Sequence, residues 1–403
     1  MNAIINPSKI KGELKAPPSK SMAHRYLICA GLAEGKSVVS GIDFSQDVLA
    51  TLDCLNELGV DYEIQDDKIT FNGNGIVTDK KEYHLKCRES GSTIRFFIPI
   101  SMMTKGKNVF YGSDTLINKR PFTIYEDICW EKKIRFENNG KNIIVEGNLT
   151  SGEYSLRGDV SSQFITGLMF TLPLLDGDSR IKLTTKVESR SYINLTIQAL
   201  SKFGVETKWE DDQTVFIKGN QTYKPCDITV EGDYSNAACL DAYNLTGGEL
   251  EITGLDPDSK QGDKIYRNHF EALKSENAVC DLSDCPDLGP ILFAVAAANQ
   301  GGYFTGTERL KIKESDRGTV MCEELAKFGI ETQMTENSIT IKKGVLQSPK
   351  AAVSGHNDHR IVMAMALLLS VTGGVLEGCE AVRKSFPSYF DDMKKVGLEV
   401  EVK

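Results

Sequence analysis

Four segments of the chain place serine, lysine, arginine or histidine immediately before or within the first turn of an apolar helical pattern. A helix N-terminus carries free N–H groups and a partial positive charge, so a neighbouring hydroxyl or guanidinium can complete an anion-binding site there. Serine, aspartate and asparagine are also ordinary N-caps, and each segment alone therefore has a purely structural explanation. The segments are APPSKSMAHRYLICAGLAEG (16–35), ESGSTIRFFIPISMM (89–103), GDVSSQFITGLMFTLPLL (158–175) and GHNDHRIVMAMALLLSV (355–371). Their combination predicts several sites for phosphate or carboxylate groups.

A charged helix farther along the chain supplies groups for proton transfer. In KIKESDRGTVMCEELAKFG (311–329), Lys313 and Arg317 fall on one helical face, and Glu314 lies three residues before Arg317. Asp287 comes earlier, beside a mostly apolar helical pattern. An acid at the mouth of a buried helix, next to a Lys–Glu pair, suits proton transfer with shifted pKa values. A solvated face of salt bridges is the structural alternative for such a charge run.

The overall charge excludes one class of anion binder. The 403 residues include 47 Lys and Arg against 56 Asp and Glu, a formal net charge of −9, with 40% hydrophobic residues. This length predicts two domains or one large one. The acidic balance argues against a general nucleic-acid or anionic-membrane binder. If the protein binds an anionic ligand, the Lys and Arg side chains that bind it must therefore be clustered at one site.

Nucleotide, metal and targeting motifs are missing from the sequence. It has no GxxxxGK[ST] or GxGxxG loop, and its 10 cysteines include no Cys-x-x-Cys pair. No secretory or transit peptide is evident, and the longest apolar run, Ile361–Val371, is about half of a membrane span. We expect no metal, no cofactor, no membrane segment and a cytoplasmic protein with reduced cysteines. The residues point to a transferase or lyase for small, multiply anionic substrates, and they leave the reaction open.

One local pattern recurs and indicates the elements that position these residues. A helix ends in a hydrophobic residue, Gly and then Val, Ile or Leu, followed by a strand, a polar turn and a second strand. It is clearest in residues 57–73, 202–219 and 327–344, with weaker copies at 130–147, 270–283 and in the last ten residues. Six copies distributed along the chain predict six α/β units that pack into compact domains.

Nine motifs carry a resemblance to a known family. They are PSKSMAHR, SGSTIRF, NKRPF, GDVSSQF, ESRSYI, CPDLGP, KIKESDR, NDHR and RKSFPSYF, all in the family's order. On these motifs the chain resembles the 5-enolpyruvylshikimate-3-phosphate (EPSP) synthase family of enolpyruvyl transferases. The resemblance implies an α/β (mixed α+β) fold, a two-domain inside-out α/β barrel of six βαβαββ units, three per domain. It implies one domain of residues 1–14 plus 230–403, a second of residues 15–229, and an active site in the interdomain cleft.

The resemblance also implies a reaction of the shikimate pathway. Members transfer the enolpyruvyl group of phosphoenolpyruvate to the 5-hydroxyl of shikimate 3-phosphate and release phosphate through a tetrahedral intermediate. Shikimate 3-phosphate would be bound by Lys20, Ser21, Arg25, Ser161, Ser162, Gln163, Ser189, Asp287 and Lys313. Phosphoenolpyruvate would be bound by Lys20, the backbone at Gly91, Arg120, Gln163, Arg317, Arg360 and Lys384.

Three of these positions would carry the chemistry in such an enzyme. By resemblance, Asp287 takes the hydroxyl proton, while Glu314, with Lys20 nearby, serves at C3 and at the leaving phosphate. Carboxylates close to C2 would also stabilise its developing oxocarbenium-like charge. The two small-molecule substrates are the implied partners, and we expect a monomer that binds no nucleic acid.

Three other functions compete with this interpretation. A UDP-N-acetylglucosamine enolpyruvyl transferase shares fold and chemistry, but the Lys-Glu-Ser-Asp-Arg and Asp-His-Arg motifs fit the shikimate enzyme better. An inactive anion-binding paralogue should have lost an acid such as Glu314 or Asp287, and both are present. An RNA 3′-phosphate cyclase should have a more basic surface than a net charge of −9 provides.

Overall fold

Helices and strands alternate along the whole chain, and the computed structural model describes all residues, 1–403. The helices are α1 (Lys20–Leu32), α2 (Gln46–Glu57), α3 (Gly91–Ser101), α4 (Thr123–Lys132), α5 (Ser162–Thr171), α6 (Arg190–Lys202), α7 (Tyr234–Asp241), α8 (Tyr266–Leu273), α9 (Gly289–Ala298), α10 (Arg317–Lys327), α11 (His359–Thr372) and α12 (Tyr389–Lys395).

The strands are short, mostly of three to five residues. They are β1 (Asn2–Ile5), β2 (Lys11–Lys15), β3 (Ser37–Ser40), β4 (Tyr62–Gln65), β5 (Lys68–Phe71), β6 (Glu82–Lys86), β7 (Lys107–Tyr111), β8 (Arg135–Asn138), β9 (Asn142–Glu146), β10 (Gly152–Leu156), β11 (Ser179–Leu183), β12 (Thr207–Trp209), β13 (Thr214–Ile217), β14 (Ile228–Thr229), β15 (Glu249–Thr253), β16 (Val279–Asp281), β17 (Gly302–Thr305), β18 (Thr332–Met334), β19 (Ser338–Ile341), β20 (Val353–Ser354), β21 (Gly374–Glu377) and β22 (Val400–Val402).

Five of the six sheets repeat one topology. In the sheet β6-β7-β9-β8, the first two strands are parallel, and β9 then pairs antiparallel with both β7 and β8. The same order recurs in β10-β11-β13-β12, β14-β3-β5-β4, β16-β17-β19-β18 and β20-β21-β1-β22. The sixth sheet contains only the parallel pair β15-β2. The predicted mixed α/β fold of six units is therefore confirmed, with one unit reduced to two strands and no sheet closed into a barrel.

The helix–Gly–hairpin pattern predicted most of these hairpins correctly. Gly59, two residues after the end of α2, has φ +85°, and β4 and β5 follow as an antiparallel pair. Gly204 and Gly329 have the same left-handed backbone after α6 and α10. After α4, Lys133 adopts φ +58° without a glycine, and β8 and β9 form the hairpin. A left-handed residue thus follows each of these four helices and redirects the chain into the hairpin.

The hairpin predicted at residues 270–283 is wrong. Helix α8 is followed by a single strand, β16, which pairs in parallel with β17 of the next unit. The truncated copy at the C-terminus is completed by the other end of the chain, because β22 pairs antiparallel with β1. Sheet partners in both places are chosen by long-range packing, which the local pattern does not contain.

The chain divides into two compact units. A continuous unit comprises Pro18–Val230, and a discontinuous unit comprises Met1–Pro17 together with Glu231–Lys403. Each unit contains three of the six sheets and has its own hydrophobic core.

The first helix of most repeats is buried on every side. In α11, all residues from His359 to Ser370 are buried, and in α9 so are those from Gly289 to Ala297. Helices α1, α3 and α5 are buried almost throughout in the continuous unit. Such helices occupy a core because they have no polar face for water. Several candidate site residues lie at the N-termini of these helices, among them Lys20, Gly91, Ser162 and Arg360. No helix combines the length and the apolar composition that a membrane-spanning helix requires.

Candidate active site

The discontinuous unit contains a buried guanidinium that is surrounded by three carboxylates. Arg317 is the first residue of α10, and its side chain is 1% exposed. Its Nε donates to Asp358 Oδ2 at 2.8 Å, and its Nη2 donates to Glu314 Oε2 at 2.7 Å. Its Nη1 donates to Asp287 Oδ1 at 2.8 Å. Although burial opposes the charged form, Asp358, Glu314 and Asp287 raise the pKa of Arg317 well above its ordinary value.

Helix capping brings these groups together. The Asp316 carboxylate caps α10 by accepting from the Thr319 N–H, which starts the helix at Arg317. The prediction of one helix over residues 311–329 is therefore wrong for Lys313 and Glu314, which precede α10. Asp358 caps the buried helix α11 by accepting from the Arg360 N–H at 2.9 Å. Asp358 is fully buried, so its second role, as the partner of Arg317, compensates a charge that would otherwise be costly inside the core.

Asp287 lies between two cations. It precedes α9, and its Oδ1 accepts from Lys313 Nζ at 3.0 Å as well as from Arg317. Burial alone would raise the pKa of the Asp287 carboxyl, but the charges of Lys313, Arg317 and Arg360 outweigh it and hold the pKa well below its ordinary value. Burial lowers the pKa of Lys313, an effect that Asp287 opposes. Asp287 is therefore ionised at neutral pH.

Arg360 is a second buried guanidinium, with different surroundings. It is 4% exposed, and its Nη1 donates to the neutral Asn236 Oδ1 at 2.9 Å. Its Nε is buried and makes no hydrogen bond. Burial lowers the pKa of Arg360, but Cys239, Asp233 and Asp287 raise it more, so the net shift is upward. A charged, incompletely hydrogen-bonded guanidinium in the core suits an anionic ligand.

Lys384 lies at the end of a 3-10 turn, Cys379–Lys384. Its Nζ donates to the backbone carbonyl of Asn357 at 2.6 Å. This carbonyl belongs to the residue before Asp358, so the loop that caps α11 also holds Lys384.

The continuous unit places a cation at the start of its first helix. Ser19 caps α1, and Lys20 begins it. Lys20 Nζ forms a mostly buried ion pair of 2.9 Å with Asp47 Oδ2, from the first turn of α2. Asp47 has no distinguishing sequence motif, and we did not predict it as part of the site.

Arg25 ties α1 to α6 from inside the core. Its Nε donates to Thr196 Oγ1 at 3.0 Å, its Nη2 to the Tyr192 carbonyl at 2.9 Å, and its Nη1 to the Ser21 carbonyl at 2.6 Å. Burial lowers the pKa of Arg25 to about 10, so the side chain stays charged at neutral pH. Ser189, immediately before α6, is buried with a left-handed φ of +54°.

The first residue of α3, Gly91, lies directly under two arginine side chains. Ser90 caps this helix by accepting from the Thr93 N–H at 3.2 Å. A Cβ on Gly91 would overlap Nη1 of Arg120 and would lie 3.2 Å from Nη1 of Arg95. Both guanidinium groups therefore cover the N-terminus of α3 directly. Arg95 is a site residue that we did not predict.

Gln163 lies in the first turn of α5 with its side-chain amide fixed at both ends. Its Oε1 accepts from Arg95 Nη1 at 2.7 Å, and its Nε2 donates to Ser92 Oγ at 2.9 Å. Ser161 caps α5, and Ser162 is the first helical residue, so both predicted serines lie at this N-terminus. The structure thus brings Gly91, Arg120, Gln163 and the two serines to the starts of neighbouring buried helices.

The two units therefore contain buried cations and carboxylates at helix N-termini, the type of site expected in an enzyme that acts on small anions. No group of three or more His, Cys, Asp or Glu side chains is arranged to hold a metal ion. In the discontinuous unit, Lys313 and Arg317 share one carboxylate oxygen. Lys384 is linked to Arg317 only indirectly, through the loop that precedes α11. Lys384 donates to the carbonyl of Asn357, and Arg317 donates to the carboxylate of the next residue, Asp358.

Comparisons with known proteins identify the family. The chain matches the family EPSP synthase (3-phosphoshikimate 1-carboxyvinyltransferase) over residues 4–393. It is 40% identical to a 3-phosphoshikimate 1-carboxyvinyltransferase of Clostridium perfringens, covering 98% of each chain. It is also 40% identical to the enzyme of that name from Clostridium kluyveri, covering 98% of this chain and 97% of the other. The chain belongs to the EPSP synthase family.

Solved structures show the same fold at low sequence identity. An EPSP synthase from Acinetobacter baumannii matches with a TM-score of 0.79 and 21% identity, over 100% of this chain and 99% of the other. The enolpyruvyl transferase NikO from Streptomyces tendae matches with a TM-score of 0.75 and 12% identity, over 99% of this chain and 98% of the other.

Proposed function

We propose that this protein transfers the enolpyruvyl group of phosphoenolpyruvate to the 5-hydroxyl of shikimate 3-phosphate, giving 5-enolpyruvylshikimate 3-phosphate and inorganic phosphate. Family membership over nearly the whole chain supports this reaction. The observation that carries the proposal is the pairing of Asp287 with both Lys313 and Arg317, with Glu314 on the same guanidinium. Two carboxylates and two cations in direct contact are suited to proton transfer beside an anionic substrate, which supports the proposal.

Shikimate 3-phosphate is the acceptor in this proposal. Hydroxyl groups and N–H groups at the starts of α1 and α5 are suited to its phosphate. We assign its binding to Lys20, Ser21, Arg25, Ser161, Ser162, Gln163, Ser189, Asp287 and Lys313. Arg25 already donates to three protein acceptors, and its role is therefore also to hold α1 against α6.

Phosphoenolpyruvate carries a phosphate and a carboxylate side by side, for which planar guanidinium groups are the best match. We assign its binding to Lys20, Gly91, Arg120, Gln163, Arg317, Arg360 and Lys384. The buried, hydrogen-bond-deficient Nε of Arg360 favours this role. Arg317 has five N–H donors, and its carboxylate partners accept four hydrogen bonds from them. Arg317 must therefore release a carboxylate if it is to bind phosphoenolpyruvate bidentately.

The reaction needs one proton to reach C3 and another to leave the hydroxyl. Asp287 accepts the proton of the 5-hydroxyl as the hydroxyl oxygen attacks C2 of phosphoenolpyruvate. Glu314, with Lys20, supplies a proton to C3 of phosphoenolpyruvate. The product of this addition is a tetrahedral intermediate. Elimination then returns a proton from C3 to Glu314, breaks the C2–O bond to phosphate and restores the enol double bond. The leaving phosphate takes up the proton that the 5-hydroxyl lost to Asp287, so the enzyme regains its starting protonation state. The low pKa of Asp287 keeps it ionised for the first step.

Domain limits, assembly and compartment are part of the same proposal. We propose domains of residues 1–14 plus 230–403 and 15–229, both of which supply substrate-binding residues, in a monomer. The 10 cysteines are all free thiols, and most are buried. Free thiols are typical of a reducing compartment, which supports a cytoplasmic location.

Phosphate release tests the function directly. Purified protein should release inorganic phosphate from phosphoenolpyruvate when shikimate 3-phosphate is present, and product of the expected mass should form. UDP-N-acetylglucosamine is the control acceptor. Release only with the nucleotide sugar would overturn the assignment, and release with neither acceptor would indicate an inactive anion-binding paralogue.

A further inference from the structure

The loop at residues 354–358, which leads from the last residue of β20 into α11, has an unusual backbone. His356 and Asn357 are consecutive residues with φ of +46° and +52°. This left-handed region is unfavourable for residues other than glycine, and two in succession require support from the surrounding structure. The loop leads into Asp358, the partner of Arg317, and its Asn357 carbonyl accepts from Lys384.

Glu324 supplies that support from α10. Its side chain is 2% exposed, and its Oε1 lies 2.8 Å from His356 Nε2. Its Oε2 accepts from the Ser354 N–H at 3.0 Å and lies 2.8 Å from Lys327 Nζ. A carboxylate buried this deeply is stable only when it is fully hydrogen-bonded and its charge is compensated. These three donors meet that requirement, and two of them belong to the loop.

Two side chains of α10 therefore hold the loop at two points. Glu324 follows Arg317 by seven residues, about two helical turns, so both lie on one face of α10. Glu324 binds the loop at Ser354 and His356, and Arg317 binds it at Asp358. Asn357 lies between these points, and its carbonyl direction is fixed by them. That carbonyl accepts a hydrogen bond from Lys384 Nζ and so determines the position of this nitrogen.

We propose that Glu324 and His356 are positioning residues for phosphoenolpyruvate binding. They do not touch the substrate in this proposal. They hold residues 354–358 in the left-handed conformation that places Lys384 and orients Asp358 on Arg317. The inference rests on the proposed function, because it assigns Lys384 and Arg317 to phosphoenolpyruvate.

His356→Ala is the main test, because it removes the loop's side-chain anchor while Glu324 keeps Lys327 and the Ser354 N–H. We expect KM for phosphoenolpyruvate to rise about tenfold, since small misplacements of binding groups are costly. KM for shikimate 3-phosphate should change little, whereas the midpoint of thermal unfolding should fall, because the buried Glu324 carboxylate loses one of its three donors. His356→Gln, whose amide can donate to Glu324, should recover most of the loss. Glu331→Gln is the matched control, because it removes an exposed ion pair with Lys342 in the same unit.

A double-mutant cycle separates positioning from general stability. The effect of His356→Ala on KM for phosphoenolpyruvate should be smaller in a Lys384→Met background, because one of the two positioned groups is then absent. Full additivity in this cycle would overturn the proposal, and so would an unchanged KM in His356→Ala. If His356→Ala does not fold, Glu324→Gln is tested in the same cycle with the same expectation. An inactive wild-type protein would instead overturn the proposed function, so the two failures are distinguishable.

Discussion

Asp287 Oδ1 and Arg317 Nη1 lie 2.8 Å apart, so the proposed general base and a proposed phosphoenolpyruvate-binding group are in direct contact. The same oxygen also accepts from Lys313. When a substrate anion competes for these cations, the carboxylate loses part of the interaction that holds its pKa low. Substrate binding should therefore make Asp287 a stronger base when a proton must be accepted.

Asp287→Asn removes this base while keeping the shape of the side chain. We expect kcat to fall by about 10²–10⁴, the usual range for loss of general acid–base catalysis. Circular dichroism should show that the fold is retained. Asp284→Asn, an exposed neighbour in the same loop, is the matched control and should retain activity. Wild-type turnover in Asp287→Asn would remove the residue from its assigned role.

Glu314→Gln tests the second carboxylate. It should also lower kcat by about 10²–10⁴, because C3 protonation loses its assigned acid. The measurement is phosphate release at saturating concentrations of both substrates. Glu323→Gln changes an exposed glutamate on α10 and controls for the altered net charge. Equal kcat values for the two variants would contradict the role of Glu314.

Arg360→Lys keeps the charge but removes the planar fork. The lysine cannot reproduce the buried Nε–H, so KM for phosphoenolpyruvate should rise about 10–100-fold, as for the loss of a charged hydrogen bond. Initial rates at varied phosphoenolpyruvate measure this. Arg383→Lys, at an exposed position, should leave KM unchanged. A variant that affects only KM for shikimate 3-phosphate would show that Arg360 binds the other substrate.

Gly91→Ala inserts a methyl group into the space occupied by Arg120. The Cβ would overlap the Arg120 guanidinium, which must then move away from the start of α3. We expect KM for phosphoenolpyruvate to rise about tenfold, with little loss of stability because the obstacle is the end of a flexible side chain. Steady-state kinetics and thermal unfolding test the two parts. Unchanged KM would mean that the position of Arg120 is not needed for binding.

His24 should make stability depend on pH. It is fully buried, and burial lowers its pKa to about 3, whereas an unfolded histidine has a pKa of about 6.5. Between these values only the unfolded chain binds the proton, so stability rises with pH through this window and is complete above it. From pH 7 to pH 5 the loss should be about 2 kcal/mol.

Denaturant titrations at both pH values measure this dependence. The loss should be smaller in His24→Gln, whose side chain does not titrate. His84→Gln changes an exposed histidine in the same unit and is the matched control. An equal loss of unfolding free energy in the wild type and in His24→Gln would contradict the assignment to His24.

Local signals predicted most of the fold. Apolar runs with capping serines or aspartates correctly located the buried helices, because capping and burial are recorded in neighbouring residues. The prediction of a hairpin at 270–283 is wrong because the segment contains only one strand, whose partner belongs to another repeat. Lys133 shows that a left-handed helix end also forms without glycine. Such outcomes depend on packing between distant segments.

The same distinction applies to the site. Cations at helix starts were predictable from residue type and position, whereas their partners were not. Arg360 and Asn236 are separated by 124 positions in sequence, and Lys20 and Asp47 by 27. Glu324 resembled any charged residue on an exposed helical face until its burial under the loop was known. Partner identity in a buried network is a property of the tertiary structure.

The position of β1 has a consequence for folding during synthesis. Residues 2–5 lie between β21 and β22, whose residues extend to position 402. This strand must therefore wait, unpaired, until almost the entire chain has left the ribosome. The continuous unit needs only residues 18–230 and can fold much earlier. We expect nascent chains of intermediate length to contain a folded continuous unit followed by protease-sensitive segments, with the first strand among the last elements to be protected.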